Sequence, residues 1–394
     1  AGSFGTTGPD ERRKEKAAAG QTRAAPAAQF LPHLQRLREL ALLSFDGERY
    51  AFDAPVREYL STLLEPEEAR ACHELAYRHF AARRDLEGQV AAYQHALAGG
   101  QPQAAKALLC DKLLQPLSDA GRYHQLLSLL DGAIAVPEAF DERFLLARAG
   151  VQRTLGRLPE ALHSLSQVLQ VPDLSMPSRA LALHEQGRVY YELDDEQGDH
   201  QQALDTYTEA LGILDELLSV AGADRARRRW LDAELAGLFQ DIATVYQYAL
   251  GGPEDLAYAR RLYGLSAEFH KRLRDPVSRA SSEKQRAEIV RLGGKEDRAE
   301  AKRIYRQVMQ TYKRKGLARA YGDVLLQLGK TYQDEHGYKH ALKRFQEYEE
   351  TQAKLGLERE EAIAWKQQGE IHQEPGYRGR SARRAIDLYS RALE

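Results

Sequence analysis

The feature that most constrains this chain is a pattern of small and aromatic residues that recurs along it. The clearest copy consists of Gly329, Tyr332, Ala341, Phe345 and Tyr348. Small residues at Gly329 and Ala341 let two antiparallel helices approach closely, and the aromatic side chains fill the groove beside them. This copy therefore predicts a helical hairpin.

Weaker copies of the same pattern occur elsewhere in the chain. They are Gly187, Tyr190, Ala203, Tyr207 and Ala210; Ala243, Tyr246, Ala259 and Tyr263; Ala287, Val290, Ala301, Tyr305 and Val308; and Gly369, Ala385, Tyr389 and Ala392, with a looser copy at Gly150, Gly156, Ala161 and Leu165. One hairpin cannot bury its own apolar face, so the copies must stack on one another. The sequence thus predicts an all-α fold, an α-solenoid with a concave inner wall.

These copies resemble the tetratricopeptide repeat (TPR), which implies a right-handed superhelix of helical hairpins. Any ligand is expected on the concave surface, on the first helix of each hairpin. Counting from the small residue of each copy, the candidate ligand-contacting residues are His184, Arg188, Tyr191, Gln240, Thr244, Gln247, Lys284, Glu288, Arg291, Lys330, Gln333, Lys366, Glu370 and Gln373, with Leu326 in the same register. Because an all-core face would be apolar, their polar character predicts recognition of a polar, extended ligand.

The chain before the repeats differs in character. Residues 1–28 have almost no large apolar side chains and predict a flexible lead. Further on, Asp46-Gly47 lies between the apolar runs Leu43-Phe45 and Tyr50-Phe52. This arrangement is typical of a β-hairpin, and it is the only place where the sequence predicts strands.

The stretches LRELALLSFDGERYAFDAPVREYL and ARACHELAYRHFAARRDLEGQVAAYQHALAGGQPQAAKALL resemble a winged helix and the helical region behind it in STAND-class NTPases, similar to MalT-like and bacterial NLR-like regulators. The helix after the β-wing usually begins with His-Asp-Leu in that family, whereas Phe52-Asp53-Ala54 stands here. The resemblance divides the chain into a lead (1–28), a winged-helix-like segment (29–64), MalT-like helical repeats (65–172) and a TPR superhelix (173–394).

In that family a nucleotide-binding domain precedes the winged helix, so the chain is expected to be part of a larger protein. The resemblance implies a cytoplasmic sensor that binds a protein, peptide or small effector and controls oligomerisation and an attached effector, as in bacterial defence. ATP is expected only in the upstream NTPase domain, with no cofactor in this chain. Two alternatives stay open: a TPR scaffold that joins proteins without an NTPase, and the regulatory TPR region of a caspase-like peptidase.

Two motifs that could carry chemistry favour a structural interpretation. Gly329-Lys330-Thr331 has the last three residues of a phosphate-binding loop, but Val324 stands where that loop needs glycine. A glycine that packs helices explains it better. The acidic run Asp194–Asp199 misplaces its glycine for a calcium loop and predicts a solvated hairpin tip.

The histidines and cysteines likewise predict no enzyme and no metal site. His73 and His79 are six residues apart, which places them on different faces of a helix, whereas a zinc-protease helix needs two histidines four apart. Cys72 and Cys110 lack a partner motif and are expected to be buried small side chains. Two cysteines in 394 residues also fit a reducing cytoplasm.

Charge and hydropathy limit the partners. The formal charge of -2 gives no bulk attraction to nucleic acid or anionic lipid. The stretch 279–315 holds 12 Lys and Arg against 5 Asp and Glu, and exposed helix faces explain it better than a nucleic-acid-binding wall. No run of eighteen apolar residues exists, so no membrane span is predicted.

Overall fold

The structure, a computed structural model, describes residues 36–37, 43–45, 50–52, 59, 63–193 and 200–393. The predicted lead 1–28, most of the predicted winged-helix segment 29–64, and the acidic run Asp194–Asp199 lie outside the described residues. The chain divides into two compact units, residues 1–116 and residues 117–394.

Two short strands occur in the first unit. Strand β1 (Leu43–Phe45) pairs antiparallel with β2 (Tyr50–Phe52), with Leu43 opposite Phe52 and Phe45 opposite Tyr50. The connecting residues 46–49 lie outside the described residues, so the predicted turn at Asp46-Gly47 and the winged helix around it stay predictions.

Helices make up the remaining regular structure. They are α1 (Pro66–Ala81), α2 (Leu86–Ala98), α3 (Pro102–Leu108), α4 (Leu114–Asp119), α5 (Tyr123–Ile134), α6 (Glu142–Thr154), α7 (Leu158–Leu169), α8 (Met176–Glu192), α9 (His200–Ser219), α10 (Arg225–Thr244), α11 (Pro253–Arg272), α12 (Pro276–Arg291), α13 (Lys295–Arg314), α14 (Ala318–Asp334), α15 (Tyr338–Leu355), α16 (Glu358–Gln373) and α17 (Ala382–Leu393). Wider π-helical turns follow α3 (Leu109–Leu113) and α10 (Val245–Leu250), and a 3-10 turn precedes α6 (Pro137–Ala139). Among the described residues, none of these helices has the length and apolar character needed to cross a membrane.

In the first unit, α1 and α2 pack together as a hairpin. The Asp85 carboxylate caps α2 by accepting a hydrogen bond from the backbone N–H of Gly88 at 2.8 Å. Helix α2 buries Val90, Ala92 and Tyr93, whereas α1 carries no buried residue. The expectation that Cys72 is buried was wrong, because this face of α1 points to solvent and the cysteine is exposed, while Cys110 is partly exposed.

The second unit is a series of helical hairpins, as the repeats predict. The paired helices are α6 and α7, α8 and α9, α10 and α11, α12 and α13, α14 and α15, and α16 and α17. Successive first helices also contact each other, as α8 does α10 and α12 does α14. A TPR-like α-solenoid is therefore confirmed for this unit.

Small residues in the first helices make these close crossings possible. A Cβ atom added at Gly369 would lie 2.8 Å from Cε1 of Tyr389 on the second helix. At Gly187 it would overlap the ring of Tyr207, and at Gly329 the ring of Phe345. Since no side chain larger than hydrogen fits at these crossings, the predicted pairing of glycine with aromatic residue is confirmed.

Local sequence sets where these helices begin and end. Asp224 caps α10 and Asp275 caps α12, each through a side-chain oxygen that accepts backbone N–H bonds. Pro276 at the start of α12 has no N–H to leave unsatisfied. Gly251 and Gly356 end their helices at φ +67°, a backbone conformation that favours glycine.

A candidate binding surface on the first helices

Polar contacts join each first helix to the next, so that their outward side chains form one surface. We call this surface the first-helix face, made by the predicted residues of α8, α10 with its π-helical turn, α12, α14 and α16. Contacts along it include Arg188 with Asp241, Tyr248 with Glu288, and Arg291 with Asp334.

The α8 end of the face is organised around Asp241. One carboxylate oxygen of Asp241 lies 2.8 Å from His184 Nε2 and 2.6 Å from Arg188 Nε. Burial opposes charge on this carboxyl, but the hydrogen bond from His184 and the charge of Arg188 lower the pKa of Asp241 overall. Buried at 5% exposure, His184 is part of the fold and offers little surface to a ligand.

The same cluster continues as an alternating chain of charges. Arg188 contacts Glu185 at 3.3 Å, and Arg153 on α6 contacts both Glu185 and Glu192 at 2.6 Å. At the other end, Glu234 lies 4.0 Å from His184 Nδ1. Because its neighbours are carboxylates, Arg188 joins α8 to α10 through Asp241, and its role as a ligand contact stays a prediction.

A cavity of about 290 Å³ opens beside this chain of charges. It is lined by Arg153, Arg188, Tyr191, Glu192, Tyr207, Asp241 and Thr244. Of the predicted residues, the structure thus brings Arg188, Tyr191 and Thr244 together here. The lining is polar and carries both signs of charge.

Tyrosines of the second helices reach this face from beneath. Tyr207, Tyr263 and Tyr305 fill the hairpin cores with their rings and are no more than 1% exposed. The Tyr263 hydroxyl lies 3.1 Å from Thr244 Oγ1. Burial raises the pKa of all three phenols, and the charge of Asp241 raises that of Tyr207 further. The sequence identified these residues as core aromatics but not their hydroxyls as part of the face.

The predicted residues of α10 are divided between packing and surface. Thr244 is hydrogen-bonded to the Tyr263 hydroxyl, and the Gln240 side-chain carbonyl accepts a hydrogen bond from Ser282 at 3.2 Å. Gln247 differs, because its buried Oε1 has no hydrogen-bond partner among the described residues. Gln247 therefore has a side-chain oxygen that is available to accept a hydrogen bond.

A second cluster surrounds Glu288 on α12. The Tyr248 hydroxyl donates to Glu288 Oε2 at 3.1 Å. Burial raises the pKa of this carboxyl, while the charges of Lys284, Arg291 and Lys330 oppose that rise. The structure thus brings four predicted residues together.

The remaining predicted residues stand apart from both clusters. Lys366 and Gln373 on α16 are exposed, and Glu370 accepts a hydrogen bond from Gln367 of its own helix at 2.9 Å. Gln333 on α14 is partly exposed. In the described part of the chain these four make no hydrogen bond or ion pair with the Asp241 or Glu288 clusters.

Two residues that organise the face were missed, although the sequence carries a signal for them. Glu185 and Asp241 each precede the small residue of their copy by two positions. The corresponding residues of the other copies are Gln285, Gln327 and Gln367. In the two copies where this residue is acidic, it pairs with an arginine of the preceding first helix, Glu185 with Arg153 and Asp241 with Arg188.

Other sequence motifs have structural roles. Thr331 of the Gly329-Lys330-Thr331 motif is fully buried within α14 and donates to the Gln327 carbonyl at 2.8 Å, which supports the packing interpretation. In the basic stretch, Arg286 pairs with Glu283 at 3.1 Å and Lys302 pairs with Glu335. Among the described residues, no three His, Cys, Asp or Glu side chains are grouped as a metal site would require.

No protein-family model and no curated protein matches the chain. Among solved structures, it is similar to a STAND protein with a TPR sensor from Pyrococcus horikoshii, at a TM-score of 0.58 and 14% identity over 91% of this chain and 51% of that one. A TPR protein from Parabacteroides merdae aligns at a TM-score of 0.35 and 16% identity, covering 73% of this chain and 99% of that one. The chain spans about half the length of the Pyrococcus protein. With the stacked hairpins, the first likeness establishes the fold as a right-handed TPR-like α-solenoid.

Proposed function

We propose that this chain is the ligand-sensing module of a STAND-class NTPase and that its first-helix face binds a protein or peptide segment. The observation that carries the proposal is that several polar groups of that face have no bonding partner among the described residues. In the described part of the chain, no carboxylate lies within 4.0 Å of the Lys284 or Lys330 amine, and the buried Gln247 Oε1 has no partner. Unsatisfied polar groups along one surface suit an extended polar ligand better than a purely structural wall.

The likeness to a STAND protein with a TPR sensor supports the cellular role that we propose. The ligand would control oligomerisation of the NTPase and an attached effector, in cytoplasmic signalling such as bacterial defence. Binding can do so only through a difference in affinity between the resting and active arrangements. A nearly complete switch needs about 5.5 kcal/mol, which contacts from several hairpins can supply together.

Not every residue of the face is suited to this role. His184 and Arg188 are bound to Asp241, so ligand contacts should fall on side chains that remain available. These are Tyr191, Gln247, Lys284, Lys330, Gln333, Lys366 and Gln373. A small effector in the cavity beside Asp241 is a second form of the same proposal.

The experiment compares the full-length wild type with a variant in which large side chains cover the first-helix face and with a matched control. Gln333→Trp with Gln373→Trp places two large side chains on α14 and α16. The matched control, Gln310→Trp with Gln346→Trp, places them on exposed positions of the second helices α13 and α15. We expect the native partner to be captured by the wild type and the control but not by the blocked variant. Equal capture by all three contradicts binding on this face.

The proposed connection to an NTPase is tested separately, on the complete gene product. A phosphate-binding loop upstream of residue 1, and ATP-dependent oligomerisation that responds to the captured partner, are the expected results. An upstream region without that loop favours a TPR scaffold, and a neighbouring His/Cys peptidase domain favours the regulatory region of a caspase-like peptidase.

A further inference from the structure

We propose that the first unit holds a binding site for a small molecule that combines an oxyanion with uncharged hydrogen-bond donors. The site is a cavity bordered by α1, α2 and the π-helical turn Leu109–Leu113. It lies outside the first-helix face and is independent of the function proposed for that face.

The cavity opens where α1 ends and α2 begins, and its volume is about 490 Å³. Ala81 of α1 and Leu86 of α2 form part of its wall, and Pro116 of α4 adds a further apolar surface. Ligand pockets in proteins span about 300 to 1,000 Å³, so the cavity is large enough for a small molecule.

A buried acceptor without a donor lies in this cavity. Gln89, in the first turn of α2, lines the cavity and is only 5% exposed. Its side-chain amide donates to the backbone carbonyl of Arg83, which fixes the orientation of the amide. The Oε1 atom of Gln89 has no hydrogen-bond partner among the described residues. Because buried polar atoms are almost always hydrogen-bonded, this oxygen indicates a donor that enters the cavity.

Three cations line the same cavity. Arg83 donates two hydrogen bonds to Asp85, at 2.8 and 3.1 Å, so its charge is compensated within the fold. Arg84 and Lys112 differ, because in the described part of the chain neither makes a hydrogen bond or an ion pair. The described residues that line the cavity include no carboxylate. Arg84 and Lys112 therefore give the cavity a positive charge that its lining does not compensate.

The π-helical turn brings one of these cations to the cavity. Arg84 stands just before α2, whereas Lys112 belongs to the turn that follows α3 and packs against α2. The extra residue in such a turn changes the direction in which side chains leave the helix, and π-helical turns are frequent at functional sites. Two cations from separate parts of the chain thus border the N-terminal end of α2, where the helix dipole also favours an anion.

This arrangement selects both the charge and the donor of a ligand. Arg84 and Lys112 suit a phosphate or a carboxylate group. The donor that reaches Gln89 must be uncharged, because the cations of the same cavity repel an ammonium group. Hydroxyl groups meet this requirement. Sugar phosphates and sugar acids share the chemistry, since each combines an oxyanion with hydroxyl groups on a small body.

Isothermal titration of the 394-residue chain tests the site with defined probes. The probes are ribose 5-phosphate, gluconate, and ribose as the uncharged comparison. We expect at least one of the two charged probes to bind and ribose not to bind at the same concentration. Binding of ribose 5-phosphate alone identifies a phosphoryl group as the anion, and binding of gluconate alone identifies a carboxylate.

Removal of the two unpaired cations should weaken binding. We expect Arg84→Ala with Lys112→Ala to lower the affinity for the charged probe about tenfold or more. The matched control, Arg70→Ala with Lys339→Ala, also removes one exposed arginine and one exposed lysine and should leave the affinity unchanged. Because all four side chains are exposed, both double variants should keep the helical content of the wild type, which circular dichroism measures.

Gln89→Met tests the buried acceptor, because it keeps the length of the side chain and removes the oxygen. We expect it to weaken the bound sugar probe severalfold. Binding of the bare oxyanion, phosphate or acetate, should not change, since its expected contacts are with the cations. An amide with a purely structural role would not separate the two probes in this way.

Three results overturn the site: no binding of either charged probe, binding of ribose as tight as theirs, or equal weakening by the two double variants. Equal effects of Gln89→Met on the sugar probe and the bare oxyanion overturn the assignment of Gln89 as the acceptor. Because Arg84, Gln89 and Lys112 lie outside the first-helix face, capture of the native partner by that face is judged separately.

Discussion

His73 Nδ1 lies 2.9 Å from His95 Nδ1, joining α1 to α2. One imidazole must donate to the other, so this contact exists only while at least one of them is neutral. Phe80 stacks on the His95 ring with centroids 5.5 Å apart. The spacing of His73 from His79 excludes a zinc-protease helix but does not predict its pairing with His95, which needs the hairpin to form.

The histidine pair should make the first unit sensitive to acid. Burial, followed by the charge of His73, lowers the pKa of His95 below its ordinary value of 6.5. The unfolded chain therefore binds a proton more readily than the folded one, so this stability is complete above pH 6.5 and is lost as the pH falls from there toward the lowered folded value. Urea denaturation followed by circular dichroism, from about pH 8 to about pH 5, measures the loss.

His95→Gln is the control for that experiment, because the chain has a second histidine whose pKa departs from its ordinary value. His270 also has a pKa lowered by burial, and its contribution remains in the variant. We expect a shallower decline for His95→Gln than for the wild type. Parallel curves would show that the histidine pair contributes nothing to the acid response.

Adding a single methyl group at the crossing of α14 and α15 should destabilise the second unit. A Cβ at Gly329 would overlap the Phe345 ring, so Gly329→Ala forces one helix to shift. We expect a loss of about 1 to 3 kcal/mol in the free energy of unfolding, measured by urea denaturation.

The matched substitution is Gly264→Ala in α11, where the new Cβ would meet nothing within 4 Å. Alanine favours helix over glycine by about 1 kcal/mol, so this variant should be as stable as the wild type or more so. If Gly329→Ala behaves like Gly264→Ala, the assigned register of that repeat is wrong.

Removing the carboxylate at position 241 should be more damaging than removing one from the surface. Asp241→Ala leaves His184 and Arg188 without their shared acceptor, and we expect a loss of about 3 to 5 kcal/mol. Glu209→Ala breaks an exposed ion pair with Arg179 and should cost less than about 1 kcal/mol. Thermal unfolding of both variants checks the difference, and comparable losses would mean that the Asp241 cluster is not a structural centre.

The helical hairpins could be predicted because each crossing depends on residue size. Gly329 and Phe345 are close neighbours on paired helices, and their spacing along the chain already encodes that contact. The burial of Cys72 could not be judged in the same way. A cysteine is common in cores, but α1 turns that residue outward.

The candidate site was predicted less completely. Helical spacing gives the side of the helix on which a residue lies, but not which residue of the next hairpin it contacts. Helical spacing places Lys284, Glu288 and Arg291 on one side of α12, and their role in binding stays a prediction. His184 and Arg188 were assigned to a ligand, whereas Asp241 on the following hairpin binds both.

Tyr248 illustrates a different limit. It follows α10 in a π-helical turn, where the extra residue per turn changes the direction of the side chains. A repeat pattern read at ordinary helical spacing does not anticipate that turn. The contact of Tyr248 with Glu288 consequently appears only in the folded chain.

Tyr305 belongs to two environments at once, with its ring wedged between paired helices and its hydroxyl turned toward the α12 charges. A molecule that grips the hydroxyl would also restrain the ring, and through it the angle between α12 and α13.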